Sequence, residues 1–228
     1  MMKKLGLPGF LLVLVAGFLR AQSEGKYKVC TLTGSVVDVR AFVKAPEDSR
    51  ASATFCIEAR AHSSCYTPRS NGKPFFIDPI FTAGADANGN VRWFVFSAKR
   101  EPFFSRQDRM ITLLFLNGSI DLVSALPPII LSEQSEYLVW HRESSSKTLP
   151  MVTVADYVWA MERETHFGTH KYRVTTYGPQ SSRLPRYRQI DSYITERSYP
   201  GLDDESELNV IQEEMATIKA RLKKKRVE

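Results

Sequence analysis

The stretch GADANGNVRWFVF, residues 84–96, admits two readings. Asp86, Asn88 and Asn90 alternate as the ligands of an acidic cation loop do. Asn88-Gly89 also stands just ahead of a run of large apolar residues, as a tight corner would. A calcium loop of the EF-hand type needs Asp first, Gly sixth and a bidentate Glu twelfth. Counted from Asp86, those last two positions hold Val91 and Ser97. The corner needs only that Asn88-Gly89 take positive φ, which these residues tolerate best. The corner reading makes the following residues a strand. Val91, Trp93 and Val95 then fall on one face, with Phe94 and Phe96 on the other. A strand apolar on both faces implies a layered β fold.

Outward from that strand, residues 26–142 read as about eight short strands, with turn signals every ten residues or so. YKVCTLTGSVVDVRAFV is rich in Val and Thr, and ASATFCIEARA alternates. FFIDPIF is interrupted by Pro79, so it reads as an edge or broken strand. MITLLFLNGSIDLV is a strand, a second corner at Asn117-Gly118, and another strand. The expected class is mostly β, an antiparallel sandwich followed by a helical C-terminal region.

The segments TLTGSVVDV, ADANGNVRWFVF and LPPIIL together resemble the carboxypeptidase regulatory-like family. Gly34, Val36 and Asp38 match its opening strand pattern, and Asp86, Asn88 and Gly89 match its turn. The likeness covers residues 29–131, where a long insert departs from the family pattern. It implies a prealbumin-like (transthyretin-like) β-sandwich with an accessory or structural role, and it carries no catalytic residues.

The N-terminus has a different character. MMKK is basic, residues 5–19 form 15 positions without a charge, and small Ala21 precedes Gln22. That layout reads as a secretory signal peptide over residues 1–21. A spanning helix would need about 20 apolar residues, so membrane contact is expected only through the signal before cleavage. Losing Lys3, Lys4 and Arg20 reduces 31 basic residues to 28 against 25 acids, about +3 rather than +6. The three cysteines survive in the mature chain. An oxidising compartment then implies one disulfide. Cys56 and Cys65 close the shortest loop and are favoured; Cys30 with either remains open.

Beyond a domain spanning 22–142, residues 143–202 read as a mixed helix and loop extension. In TVADYVWAMERETHFG, Val154, Tyr157, Val158 and Met161 recur at helical spacing, with Thr153 as cap and Gly168 as stop. HKYRVTTYG reads as one more strand and PQSSRLPRYRQ as loop. Residues 203–228 form an amphipathic helix, acidic at its start and basic at its end. Its stripe is Leu208, Ile211, Met215, Ile218 and Leu222. Something must cover that stripe, and the chain's own β domain or a partner is favoured over a coiled coil of two heptads.

Chemical motifs are sparse. Glu162, His166 and His170 are four apart and would share a helix face, but the zinc-protease pattern is absent. No nucleophile elbow, phosphate loop or dinucleotide fingerprint occurs, and no cofactor or bound metal is expected. Residues 166–199 are more informative. They hold six bases against two acids and five of the nine tyrosines. Arg173, Arg183, Arg186, Tyr187 and Arg188 are the candidate partner-binding residues, since Arg and Tyr anchor interfaces. Nucleic acid is the wrong partner for an exported chain; an envelope protein or an anionic wall polymer fits. The sequence thus points to an exported, periplasmic or extracellular, non-enzymatic binding or envelope-associated structural protein. The alternative is a metal-dependent hydrolase using Glu162, His166 and His170.

Overall fold

In a computed structural model, the strand read from the opening stretch sits at the centre of the molecule. The structure describes residues 23–46, 52–68, 76–100, 109–132, 135–142, 149–158, 169–180, 186–200 and 209–225. Residues 1–21, read as a signal peptide, and Glu162, His166, Arg183 and Leu208 lie outside these residues.

The first sheet has nine strands: β1 (Glu24–Cys30), β2 (Val36–Lys44), β3 (Thr54–Ala59), β4 (His62–Tyr66), β5 (Phe76–Ala85), β6 (Val91–Arg100), β7 (Arg109–Leu116), β8 (Leu122–Ser124) and β9 (Ile129–Leu131). The main order is β4-β3-β2-β1-β6-β7-β8, with β5 paired to β6 and β9 to β7. The sheet rolls until its terminal strands meet. Leu122 N donates to Ser64 Oγ at 3.0 Å, and His62 Nε2 lies 3.2 Å from Asp121 Oδ1. The enclosed face buries Phe55, Phe81, Phe94 and Phe96 as a cluster of tilted and edge-to-face rings.

The second sheet contains β10 (Glu136–Trp140), β11 (Met151–Tyr157), β13 (Tyr172–Pro179) and β14 (Tyr187–Ile194), in the order β10-β11-β13-β14. A small ribbon pairs β12 (Thr169–His170) with β15 (Tyr199–Pro200). Trp93, Val95, Ile111, Leu113 and Phe115 of the first sheet pack on Val152, Val154 and Tyr187 of the second. The far side of the second sheet carries the helix α1 (Val210–Lys224), through Val210, Ile211, Ile218 and Leu222. The fold is therefore a mostly β sandwich with a C-terminal helix. The stripe is covered from within the chain.

Several expectations change. The helix from Thr153 is a strand as far as Tyr157, and residues 159–168 lie outside the described set. Val152 and Val154 face the first sheet while Met151, Ala155 and Tyr157 face the helix side. A strand buried on both faces shows no period of two, so a helical spacing fits it by chance. Residues Tyr187–Gln189, at the end of the segment read as loop, open edge strand β14, Tyr187–Ile194. The described part of 143–202 is thus strand and not helix with loop, and β10 joins it across position 142 through its pairing with β11.

The opening corner is a corner, with a modification. Only Gly89 has positive φ, +77°, while Asn88 does not. Asp86 N donates to Asn90 O and Gly89 N to Asp86 O, while Asp86 Oδ1 accepts from Asn88 N and Asn90 N. The same pattern recurs at 117–121, where Asn117 Oδ1 accepts from Ser119 N and Asp121 N. It recurs at 31–35, where Thr31 Oγ1 accepts from Ser35 N. The fourth residue of each corner is left-handed: Gly34 at +91°, Gly89 at +77° and Ile120 at +67°. In the second corner the left-handed residue is Ile120 and not Gly118. These are type I turns closed by a left-handed residue, a standard hairpin solution. The apparent cation ligand Asp86 is a turn cap.

Val91 also departs from its expected face. It packs with Phe94 and Phe96, because Ala85 pairs with Val91 and Gly84 with Trp93, leaving Arg92 as an extra residue. Such a bulge resets the alternation. Gly84 is needed here, because a Cβ at that position would stand 2.0 Å from the Trp93 ring. Pro79 lies in a second irregularity, between Ile77 and Ile80, consistent with a broken edge strand.

Candidate functional site

The described part of the Arg- and Tyr-rich segment folds as the hairpin β13–β14 and the ribbon strands β12 and β15. Its tyrosines turn inward. Tyr172 is fully buried, and burial raises its hydroxyl pKa to about 12. Tyr187, a candidate binding residue, lies in the core between the sheets and donates to Pro150 O at 2.6 Å. Burial pushes its pKa upward. Tyr187 is therefore not presented to a partner. The alternation of β14 aims it at the first sheet, which a loop reading could not reveal.

Tyr193 and Tyr199 both donate to Glu214 of α1, at 2.9 and 2.5 Å. Burial raises both hydroxyls, and the hydrogen bonds to the Glu214 carboxylate raise them further. Glu214 is 7% exposed on the packed face of the helix. Sequence reading missed it, since a glutamate among exposed charges reads as solvated. The available signal was its place beside Met215 on the stripe.

The arginines divide. Arg197 pairs with Glu213 and its guanidinium lies 4.6 Å from the Tyr199 ring centre. Lys171 donates to Glu196 O. Arg173, Arg186 and Arg188 are exposed. Arg188 pairs with Gly178 and Arg173 with Ile194, so the two stand at opposite ends of the hairpin, about 20 Å apart by strand rise. They also lie on opposite faces. Arg173 is the cross-strand partner of Asp156 on the face toward the first sheet. Gly178, the partner of Arg188, faces Met151 and Ile190 on the helix side. The candidate arginines thus do not form one cluster. They mark two exposed ends of the sheet that β14 terminates.

His170 packs edge-to-face on Tyr157 at 4.7 Å. Among the described residues no group of three His, Cys, Asp or Glu side chains is placed to hold a metal. Cys56 and Cys65 are direct cross-strand partners with sulfurs 2.06 Å apart, at disulfide distance. Cys30 is buried and free, with Arg92 Nη1 2.7 Å from its sulfur. Comparison with family models, curated proteins and solved structures gave no match.

Proposed function

We propose that this chain is an exported, non-enzymatic binding protein of the cell envelope, with a β-sandwich scaffold and an anionic protein or wall polymer as partner. One observation carries the reading. The Arg- and Tyr-rich hairpin keeps its aromatic side chains in the packing and turns Arg173, Arg186 and Arg188 to solvent. Recognition by stacking would need the rings outside. Recognition by charge needs only the guanidinium groups, and their separation suits an extended partner better than a small one. Export is supported by the charge and hydropathy layout of residues 1–21 and by the Cys56–Cys65 pair. The carboxypeptidase regulatory-like resemblance, with its accessory role, is compatible with this reading.

The test is retention on an immobilised polyanion against a salt gradient. Arg173→Glu, Arg186→Glu and Arg188→Glu should each elute at lower salt than the unaltered chain. Identical elution of all four proteins would defeat the reading. The exported protein should begin near Gln22, and a retained full-length chain would argue for an anchor.

A further inference from the structure

The seam between the sheets closes on Trp93, Val95 and Leu113 but opens at one end. There, Lys99 of β6, Arg109 of β7 and Leu131 of β9 stand abreast in register on one face. Opposite them rises β10, with Glu136 and Tyr137. The space between is a cleft of about 440 Å³, within the range of small-molecule sites.

Like charges directly opposite on neighbouring strands repel. Lys99 has a partner in Asp78, 3.4 Å away at an exposed rim. Arg109 is exposed and has no carboxylate partner among the described residues. One pleat deeper on the same face, Ser97 is 3% exposed and its hydroxyl has no partner among the described residues. The wall is held in place. Ser132 and Ser135 both donate to Asp156 Oδ1, and Tyr137 is hydrogen-bonded to Thr82. The cleft therefore combines two adjacent cations with apolar surface from Leu131 and Tyr137.

We propose that this cleft binds a small organic acid, whose carboxylate or phosphate group lies between Lys99 and Arg109 and whose body rests on Leu131 and Tyr137. An anion there removes the repulsion between the two cations and gives Arg109 the bidentate partner it lacks among the described residues. Glu136 borders the cleft, but its carboxylate turns to the helix side of the second sheet, where it accepts the Ile211 N–H. The cleft is separate from Arg188 at the far end of the hairpin, whereas Arg173, paired with Asp156, stands beside its wall.

Benzoate and inorganic phosphate are suitable probes, the first a carboxylate with an apolar body and the second an anion alone. Each is titrated into the purified chain at constant ionic strength, with binding followed by calorimetry and by amide shifts of Arg109, Leu131 and Tyr137. At least one probe should bind saturably at one site. Arg109→Gln and Lys99→Gln should each weaken it about tenfold or more, the loss expected for a charge-assisted contact. Arg188→Gln should leave it unchanged. Both altered cleft residues are at the surface, so their loss should not unfold the protein, and unchanged melting checks this. Saturation by neither probe overturns the proposal, as does equal weakening by Arg188→Gln or wild-type affinity in Arg109→Gln.

Discussion

Arg221 of the helix holds Asp191 of the edge strand through two hydrogen bonds, Nε to Oδ2 at 2.7 Å and Nη2 to Oδ1 at 3.2 Å. Lys225 adds a third contact at 2.7 Å, and the Asp191 side chain is 3% exposed. Burial alone would raise this carboxyl. The Arg221 and Lys225 hydrogen bonds outweigh it and hold the pKa below the ordinary carboxylate value. Arg221 also lies 4.5 Å from the Tyr193 ring centre. Arg221→Ala removes two charged hydrogen bonds to a buried group and should cost about 1.5–3 kcal/mol. Denaturant unfolding measures this, and a change under about 0.5 kcal/mol would mean that the contact behaves as a surface ion pair.

The helix should be docked within the monomer. Ile218 is 1% exposed against the second sheet, so Ile218→Ala should destabilise by about 2–5 kcal/mol. Deleting residues 203–228 should lower stability further while leaving a monomer in solution. A dimer that dissociates on deletion would assign the stripe to a second copy instead.

Stability should fall as pH rises toward neutrality, through Glu136. Its carboxylate accepts the Ile211 N–H at the start of α1, where Asn209 makes no side-chain cap. Tyr172 stands near it from β13, and Arg109 and Lys99 line the cleft it borders. Burial raises its pKa from 4.5 to about 7, against the lowering effect of the Ile211 hydrogen bond. The folded state holds this proton more tightly than the unfolded chain. The contribution is thus complete below 4.5 and is lost as pH passes through about 7. Glu136→Gln should flatten the melting temperature across that window. An unchanged slope would place the titrating group elsewhere. Asp191 acts in the opposite sense and only at acid pH, since its lowered pKa favours folding until the solution falls below the usual carboxylate range.

The corner at 86–90 should respond to its two key residues. Gly89→Val places a branched side chain at φ +77° with open space around it, so the cost is backbone strain of about 1–2 kcal/mol. Asp86→Ala removes an acceptor for two amides and should cost about 1 kcal/mol. Calcium should leave the melting temperature unchanged in both proteins. A calcium-dependent rise lost with Asp86 would restore the cation reading.

The sequence by itself determined the mostly β character, the corner at Asn88-Gly89, a preference for the Cys56–Cys65 pair and the C-terminal helix with its apolar stripe. Each is set by local chemistry: residues that permit positive φ, an alternating run, spacing short enough for one hairpin, and an amphipathic period. Only the tertiary structure decided that Thr153–Tyr157 is a strand, because burial on both faces erases the alternation that marks strands. The same holds for Val91, whose face was set by one extra residue, Arg92, in a register fixed by β5. It also separated Tyr187 from Arg188, adjacent in sequence, sending one into the core and leaving the other in solvent. Lys99 and Arg109 came together for the same reason: strand pairing is a long-range choice, and the cleft between two sheets exists only once both have formed.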